Sequence, residues 1–387
     1  MKISSYILAA TYCLSLYDGG LPFAAWLKQY FRDNKKFGSR DRKIIAHLCY
    51  CFFRLGNAFE FMPVEERVVI GLFLTSQTGN KLLAESKPEW NEMAHLSTGD
   101  KLAFLDSAPE DWVDVFPHHE SLSAQIDKEI FIKNHFIQPD LYLRLRPGHE
   151  NIVKEKLANA SIEFKEVSAG KLALDNATKL EEVISLDVEA VVQDFSSQDV
   201  LLPLSELNLN KEKNLLAWDC CAASGGKSIL LFDTYPNIHL TVSDVRSSIL
   251  QNLHNRFQRA GIRGYDSLVA DVSRPQFTMT KQFDLVVCDA PCTGSGTWSR
   301  TPENLSYFKK EKIEYYANLQ KWIGLNAVKA LKKGGAFLYI TCSVFEQENE
   351  DVAAHIQKET KLTLRSTTYF KGYDRKSDTL FAALFTL

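Results

Sequence analysis

The sequence has no apolar run long enough to cross a membrane, and it is poor in cysteine for its size, with eight in 387 residues. The first absence argues against a spanning helix. The second is too sparse for a disulfide framework, so free thiols in a reducing compartment fit better. Zinc-site spacing is missing as well: Cys49 and Cys51 are separated by one residue, and Cys220 and Cys221 are adjacent. No metal is expected. Nor is there an excess of charge of either sign. A formal net charge of −3 and a pI near 6.3 carry no global nucleic-acid signature, so any contact with a polyanion must come from local patches. Internal repeats and low-complexity tracts are absent. The start, Met1 to Ala10, has the look of a secretory leader. However, Tyr12, Ser15 and Tyr17-Asp18-Gly19-Gly20 interrupt it without a cleavage pattern, so an amphipathic helix and a cytoplasmic protein are expected.

What is present is an ordinary soluble composition, 45% hydrophobic and 24% charged, long enough for two or three domains. Two cysteines stand out. Phe283-Asp-Leu-Val-Val-Cys-Asp289 leads into Ala290-Pro291-Cys292-Thr293-Gly294-Ser295-Gly296, and Ala336-Phe-Leu-Tyr-Ile340 leads into Thr341-Cys342-Ser343. Both runs are short, β-branched or aromatic, and followed by turn formers, so both read as buried strands. The segment 308–333 between them reads as a helix stopped by Lys332-Lys333-Gly334-Gly335. Strand, helix, strand implies a parallel pair with both thiols at the carboxyl edge, where open α/β sheets bind ligands.

Residues 1–125 read as helical. Ile3–Leu16, Pro22–Asn34, Ser39–Leu55 and Val64–Leu74 show three- and four-residue apolar spacing, with Ser39 as an N-cap. One or two short helices are expected in 85–125. Residues 126–205 read as a small α+β module: strands at 140–146, 162–166, 171–174 and near 191, with helices at 149–159 and 178–183. From 206 the pattern alternates, with strands at 215–220, 239–243, 266–270, 283–288 and 335–341. Helices are expected at 226–233, 246–260, 311–332 and 346–358. A closing antiparallel hairpin ends the chain, making a doubly wound α/β domain over 206–387.

Cys220-Cys-Ala-Ala-Ser-Gly-Gly-Lys-Ser228 joins the first of these strands to its helix. Its small residues and two glycines let a ligand approach the backbone at a helix N-terminus. A phosphate loop would need glycine at 221, where Cys221 stands, and a dinucleotide fingerprint would need a third glycine. Asp244, Asp271 and Asp289 end the next strands. A glycine loop followed by strand-end carboxylates suits a cofactor with ribose, adenine and a sulfonium, and favours S-adenosylmethionine. Seven Lys/Arg fall between Lys28 and Lys43. They form either a solvated surface or a phosphate-contacting patch.

Cys221-Ala-Ala-Ser-Gly-Gly-Lys227, Asp289-Ala-Pro-Cys-Thr-Gly-Ser-Gly296, Tyr339-Ile-Thr-Cys-Ser343 with Glu348-Asn349-Glu350, and Gln193-Asp194-Phe-Ser-Ser197 together resemble the RsmB/Sun-type RNA (cytosine-5) methyltransferase family. Ser39-Arg-Asp-Arg42 and Leu48 to Arg54 are similar to the NusB-like helical domain of some members. The resemblance implies a Rossmann-like class I methyltransferase core, a NusB-like RNA-binding domain over 1–125 and an RRM-like module over 126–205. It implies Cys342 as nucleophile, Cys292 assisting proton removal and release, and Asp289 on the base edge or cofactor. The cofactor residues would be Cys221, Ala222, Ala223, Ser224, Gly225, Gly226 and Lys227, with Asp244 and Asp271 on ribose and adenine. RNA contacts are expected from Arg300, Lys35, Lys36, Arg40 and Arg42. The substrate implied is ribosomal RNA in preference to transfer RNA, bound by a monomer without membrane or metal.

The chemistry agrees with this resemblance: carbon 5 of cytosine is a poor nucleophile until a thiolate adds to carbon 6. Ser224 departs from the proline usual in the cofactor loop, and Thr379 from a glycine before the last strand. Two alternatives remain open. A DNA cytosine methyltransferase would attack with Cys292 and leave Cys342 unexplained. A catalytically idle RNA-binding assembly factor would bind cofactor without methyl transfer.

Overall fold

The computed structural model describes residues 2–207 and 214–387. The chain divides into two compact units. One comprises Met1–Leu122, Ile126–Gln138 and Thr297–Lys310; the other comprises Ser123–Gln125, Pro139–Gly296 and Glu311–Leu387.

The first unit is helical. α1 (Ile3–Leu16), α2 (Phe23–Asp33), α3 (Ser39–Phe53) and α4 (Val64–Thr75) coincide with the expected helices to within two residues. Each turns an apolar stripe inward. α4 is buried from Arg67 to Leu74, and Gly71 makes that possible, since a Cβ there would stand 2.3 Å from the Cys51 carbonyl oxygen. The cap of α3 differs from expectation. Gly38 is the N-cap, its N–H donating to the Asp41 carboxylate at 3.1 Å, and Ser39 is the first helical residue. More short helices form beyond residue 80 than expected, among them Lys81–Ser86, Pro88–Glu92 and Thr98–Phe104. Lys128–Asn134, assigned to the small module from sequence, is a helix that clusters with this unit. So does 297–310, which the sequence places in the α/β core. Trp298 is buried against Phe116, the Phe23 N–H donates to Glu303 at 3.0 Å, and the Tyr307 hydroxyl donates to the Tyr17 carbonyl at 2.9 Å.

In the second unit, β1 (Leu141–Leu145), β2 (Lys165–Ser168), β3 (Lys171–Leu174) and β4 (Ala190–Val192) make an antiparallel sheet in the order β2-β3-β1-β4. The helix Glu150–Asn159 accompanies it. No helix forms at 178–183. The Asp175 side chain accepts the Ala177 N–H and starts isolated turns instead, the local competition by which Asp favours turns over helix. Arg144, on β1, and Arg146, just past its end, both pair with Asp233 of the helix Gly226–Thr234, at 2.6 and 2.8 Å. All three side chains are nearly buried, so this network joins the small sheet to the helix after the glycine loop.

The large sheet contains β5 (Leu215–Asp219), β6 (Ile238–Asp244), β7 (Asp266–Val269), β8 (Phe283–Asp289), β9 (Leu331–Thr341), β10 (Thr363–Lys371) and β11 (Thr379–Thr386). Its order is β10-β11-β9-β8-β5-β6-β7, with β5 to β9 parallel and the final hairpin antiparallel. The central strands are buried on both faces, hence their continuous apolar runs. Trp218 of β5 is fully buried and donates its indole N–H to Ser243 at 3.0 Å. One expectation is overturned. Lys332-Lys333-Gly334-Gly335 is not a helix stop but part of β9, which starts at Leu331 after the helix Glu311–Ala327 and a single tighter turn. The register with β8 slips there, between the Phe283–Leu331 and Leu285–Ala336 pairs, and Gly334 takes φ 78° within the slip. No helix among the described residues is long and apolar enough to cross a membrane.

Candidate active site

The parallel pairing of β8 and β9 aligns Asp289 with Ile340, so the turns that follow them emerge side by side. Gly296 N–H donates to the Cys342 carbonyl, and Ala290 N–H to the Ile340 carbonyl, both at 2.9 Å. These bonds hold the Cys292 loop against the Cys342 loop. The two sulfur atoms come to rest 3.3 Å apart, both half-buried. The bond to Cys342 and burial together push the Cys292 thiol well above its usual range, with the Glu348 carboxylate adding to the rise. Cys292 is therefore a thiol that keeps its proton.

Glu348 was not singled out for a role from the sequence, yet it organises the pair. Its side chain is fully buried and accepts from the Thr293 N–H at 2.9 Å, the Thr293 hydroxyl at 2.5 Å, the Ser343 hydroxyl at 2.5 Å and the Gln320 amide at 2.9 Å. Thr293 follows Cys292 and Ser343 follows Cys342, so one carboxylate fastens both thiol loops. Burial raises its pKa despite the donors. Ser295 adds a second tie: its hydroxyl lies 3.1 Å from that of Ser343 and accepts the Val344 N–H at 3.0 Å. The signal for Glu348 was weak because an acidic residue beside a helix start is ordinarily a solvated dipole partner.

The glycine loop lies across the cavity. Ala223 and Gly225 adopt left-handed backbone, φ 47° and 84°. A Cβ on Gly225 would meet Phe257 at 2.9 Å and Leu253 at 3.0 Å, so glycine is required twice over, by conformation and by space. The Asp244 carboxylate accepts the Ala223 N–H at 3.1 Å and the Arg246 N–H at 2.9 Å, bracing the loop from the end of β6. At Ser224, Arg256 supplies the rigidity that a proline would have supplied. It donates to the Ser224 carbonyl at 3.1 Å while its other nitrogens hold Asp187. Asp271 at the end of β7 caps its own turn, accepting from Ser273 and Arg274, and these bonds hold its carboxyl below the usual range.

A cavity of about 550 Å³ opens between these elements, lined among others by Lys227, Asp244, Asp271, Asp289, Cys292 and Cys342. Its volume falls in the range of small-molecule sites. Lys227 spans it, its ammonium 2.7 Å from Asp289. Burial alone would lower its pKa, but Asp289, with a smaller contribution from Cys342, raises it. Arg246 is matched in the same way by Asp244, at 3.2 Å. With these two cations each paired to a carboxylate, the cavity suits a ligand that carries positive charge better than a polyphosphate. Tyr315, Leu319 and Ile323 of the helix Glu311–Ala327 supply an apolar wall.

The cavity thus unites Cys221, Ala223, Lys227, Asp244, Asp271, Asp289, Cys292 and Cys342 from the sequence-derived set. The basic residues lie elsewhere. Lys35, Lys36 and Arg40 are exposed at the junction of α2 and α3, whereas Arg42 is partly buried, donating to the Phe37 carbonyl at 2.8 Å and lying over the Phe31 ring. Arg300 is half-buried in the 297–310 segment of the helical unit.

Comparison with known proteins agrees with this geometry. Residues 206–381 match the family model described as 16S rRNA methyltransferase RsmB/F. A ribosomal RNA small subunit methyltransferase B from Shewanella oneidensis is 34% identical over 167 residues, 43% of this chain and 38% of that protein. A ribosomal RNA small subunit methyltransferase F from Vibrio cholerae is 31% identical over 173 residues, 43% of this chain and 35% of that protein. The match therefore spans less than half the length of these curated relatives. Among solved structures, PH0851 superposes over 99% of this chain and 98% of its own with a TM-score of 0.70 at 19% identity. NSun6 from Pyrococcus horikoshii with SFG superposes over 70% of this chain and 96% of its own, TM-score 0.59, at 15% identity. At these identities the structural likeness speaks for the fold alone, a Rossmann-like α/β core.

Proposed function

We propose that this chain, whose residues 206–381 belong to the RsmB/Sun-type methyltransferase family, methylates carbon 5 of a cytosine in RNA, with S-adenosylmethionine as cofactor and ribosomal RNA as substrate. The observation that carries the reading is the pair of thiols 3.3 Å apart at one edge of the cofactor-sized cavity. A methyltransferase acting on a nucleophilic atom needs no cysteine, whereas one acting on carbon 5 needs an adding thiolate and a second group to help undo the adduct.

The cavity's residues fit the cofactor. The Gly225 turn and the following amides give it a close backbone approach, the paired cations leave no free phosphate clamp, and Asp244 and Asp271 stand at the strand ends. When bound, S-adenosylmethionine supplies an electrophilic methyl group. Cys342 adds as a thiolate to carbon 6, and the carbon 5–carbon 6 π pair becomes available at carbon 5. That pair forms the new bond to the methyl group; when the carbon 5 proton departs, the electrons of the carbon 5–hydrogen bond rebuild the carbon 5–carbon 6 double bond as the bond to Cys342 breaks with its electrons on sulfur. Cys292, whose thiol is pushed well above its usual range, gives its proton to the departing Cys342 sulfur, and the thiolate so left accepts the carbon 5 proton. Asp289, fixed by Lys227, orients the base edge. RNA contact is assigned to Lys35, Lys36 and Arg40, with Arg42 and Arg300 as secondary candidates. That the similar proteins from Shewanella oneidensis and Vibrio cholerae are ribosomal RNA methyltransferases supports ribosomal over transfer RNA.

The test uses purified protein, labelled S-adenosylmethionine and RNA from cells lacking the gene. A single new 5-methylcytosine in ribosomal RNA, lost with Cys342→Ala, supports the assignment; a covalent RNA adduct accumulating with Cys292→Ala supports the release role. Activity surviving Cys342→Ala while Cys292→Ala is dead would reverse the roles. Cofactor binding without transfer to any RNA would favour a binding protein.

A further inference from the structure

Three cysteines take no part in that chemistry through their sulfurs. Cys220 follows the last residue of β5, Cys288 lies at the matching level of β8, and Cys221 begins the glycine loop. The strands are tied at this level by the Cys220 N–H, which donates to the Val287 carbonyl at 3.0 Å. All three sulfur atoms lie within 4.8 Å of one another. Cys220 and Cys288 are buried, while Cys221 is half-buried and lines the cavity.

We propose that Cys220, Cys221 and Cys288 form a site for a thiophilic divalent cation of the zinc type, entered from the cofactor cavity. Three sulfurs on one wall and an open side toward the cavity give the ligand number of an exchangeable zinc site, with the fourth position left to solvent. Zinc–sulfur bonds of about 2.3 Å require sulfurs about 3.8 Å apart, so the cluster closes by side-chain rotation of about an ångström without moving a strand. Cys288 sits on the central strand β8 and Cys220, just past β5, is hydrogen-bonded to it through Val287, which pre-orders both. Binding displaces the thiol protons to solvent, and no electrons change hands. The surroundings also favour a cation. The Asp219 carboxylate next to Cys220 is fully buried with one oxygen unpartnered, and Lys227 is already committed to Asp289.

A cation held there abuts Cys221 at the start of the cofactor loop and so opposes cofactor binding. That consequence rests on the cofactor reading above; the metal site itself does not. The experiment titrates reduced, chelator-treated protein with cadmium chloride and follows the sulfur-to-cadmium charge-transfer band, alongside equilibrium dialysis of labelled S-adenosylmethionine. The wild type and the Cys292→Ala/Cys342→Ala double variant should saturate at a single equivalent, while Cys288→Ala and Cys220→Ala, each checked for folding by circular dichroism, should lose the band. Saturating cadmium should weaken cofactor binding in the wild type by about tenfold or more and leave Cys288→Ala within about twofold. A band that persists in both single variants, or disappears in the double variant, overturns the site. A band without effect on cofactor binding overturns the opposition alone. Failure of the cofactor to bind metal-free protein would sink the cofactor reading while the band still reports the site.

Discussion

Glu348 is the residue whose replacement tests the two-loop arrangement most sharply. Its carboxylate accepts four hydrogen bonds, two from Thr293 and one each from Ser343 and Gln320. Glu348→Ala removes all four at once in a fully buried place. Bonds to a charged group contribute about 1.5–3 kcal/mol each, but they share one acceptor and the Thr293, Ser295 and Ser343 hydroxyls can bond to one another. The loss should therefore be nearer the about 3–5 kcal/mol typical of breaking a buried network than the sum of four. Glu348→Gln keeps the volume. Its amide nitrogen can face the Thr293 and Ser343 hydroxyls, which turn to accept, while its oxygen keeps the Thr293 N–H and the Gln320 amide. The cost should stay near about 1 kcal/mol. Because Glu348 fastens the thiol loops and does not line the cofactor cavity, kcat should fall about 100-fold in Glu348→Ala, with cofactor affinity unchanged, and less than about tenfold in Glu348→Gln. Single-turnover methyl transfer, cofactor dialysis and urea unfolding on the three proteins provide the assay. A wild-type rate in Glu348→Ala would refute the positioning role, as would equal damage from both substitutions or a parallel loss of cofactor binding.

Asp219 has no counter-charge in contact, and burial pushes its carboxyl from the ordinary 3.8 up to about 7. Because the folded value is raised, this group's contribution to stability is complete below about pH 4 and is lost as pH rises through about 7, by up to about 4 kcal/mol in all. Urea unfolding at pH 5, 6, 7 and 8 should show that decline in the wild type and a flatter profile in Asp219→Asn; identical slopes would contradict the charge assignment. Gly225→Ala forces a Cβ against Phe257 in left-handed backbone and should cost about 1–3 kcal/mol while weakening cofactor binding about tenfold or more, measured by melting and dialysis. Arg256→Ala frees the Ser224 carbonyl and one oxygen of Asp187, whose other oxygen stays with Arg259, so it should raise the cofactor dissociation constant without changing the fate of the RNA adduct, as gel-shift under denaturing conditions would report. Reversing the exposed charges Lys35, Lys36 and Arg40 to Glu should weaken RNA binding and flatten its salt dependence; unchanged binding would remove that patch from the RNA path.

The local chemistry of this chain is legible without coordinates wherever a signal is confined to a few adjacent residues. Apolar strands ending in Asp, a turn rich in small residues and two cysteines just past strand ends place β5, β8, the end of β9 and the glycine loop nearly to the residue. Local signals also mislead where two structures use the same residues. Lys332-Lys333-Gly334-Gly335 has the composition of a helix stop, yet the two glycines serve a register slip that lets β9 keep its pairing with β8. The stretch 297–310 follows Cys292 directly in the chain, but the burial of Trp298 and the Glu303 and Tyr307 bonds assign it to the helical unit. Such apolar anchoring depends on partners hundreds of residues away.

What the sequence by itself determined is therefore the repertoire: which residues carry thiols and carboxylates, where glycine is unavoidable, and that strands and helices alternate so that the strand ends share one edge. Only the tertiary structure decided which of those groups meet. The register of β8 on β9 sets two sulfurs 3.3 Å apart, Glu348 returns from beyond β9 to fasten both loops, and the pairing of β5 with β8 brings Cys288 to Cys220 and Cys221, whose spacing along the chain excluded a metal motif. The reason is physical. Side-chain alternation along a strand is a local property, whereas the level at which two strands pair is set by packing across the whole sheet, and one residue of slip would turn every one of these groups to the other face.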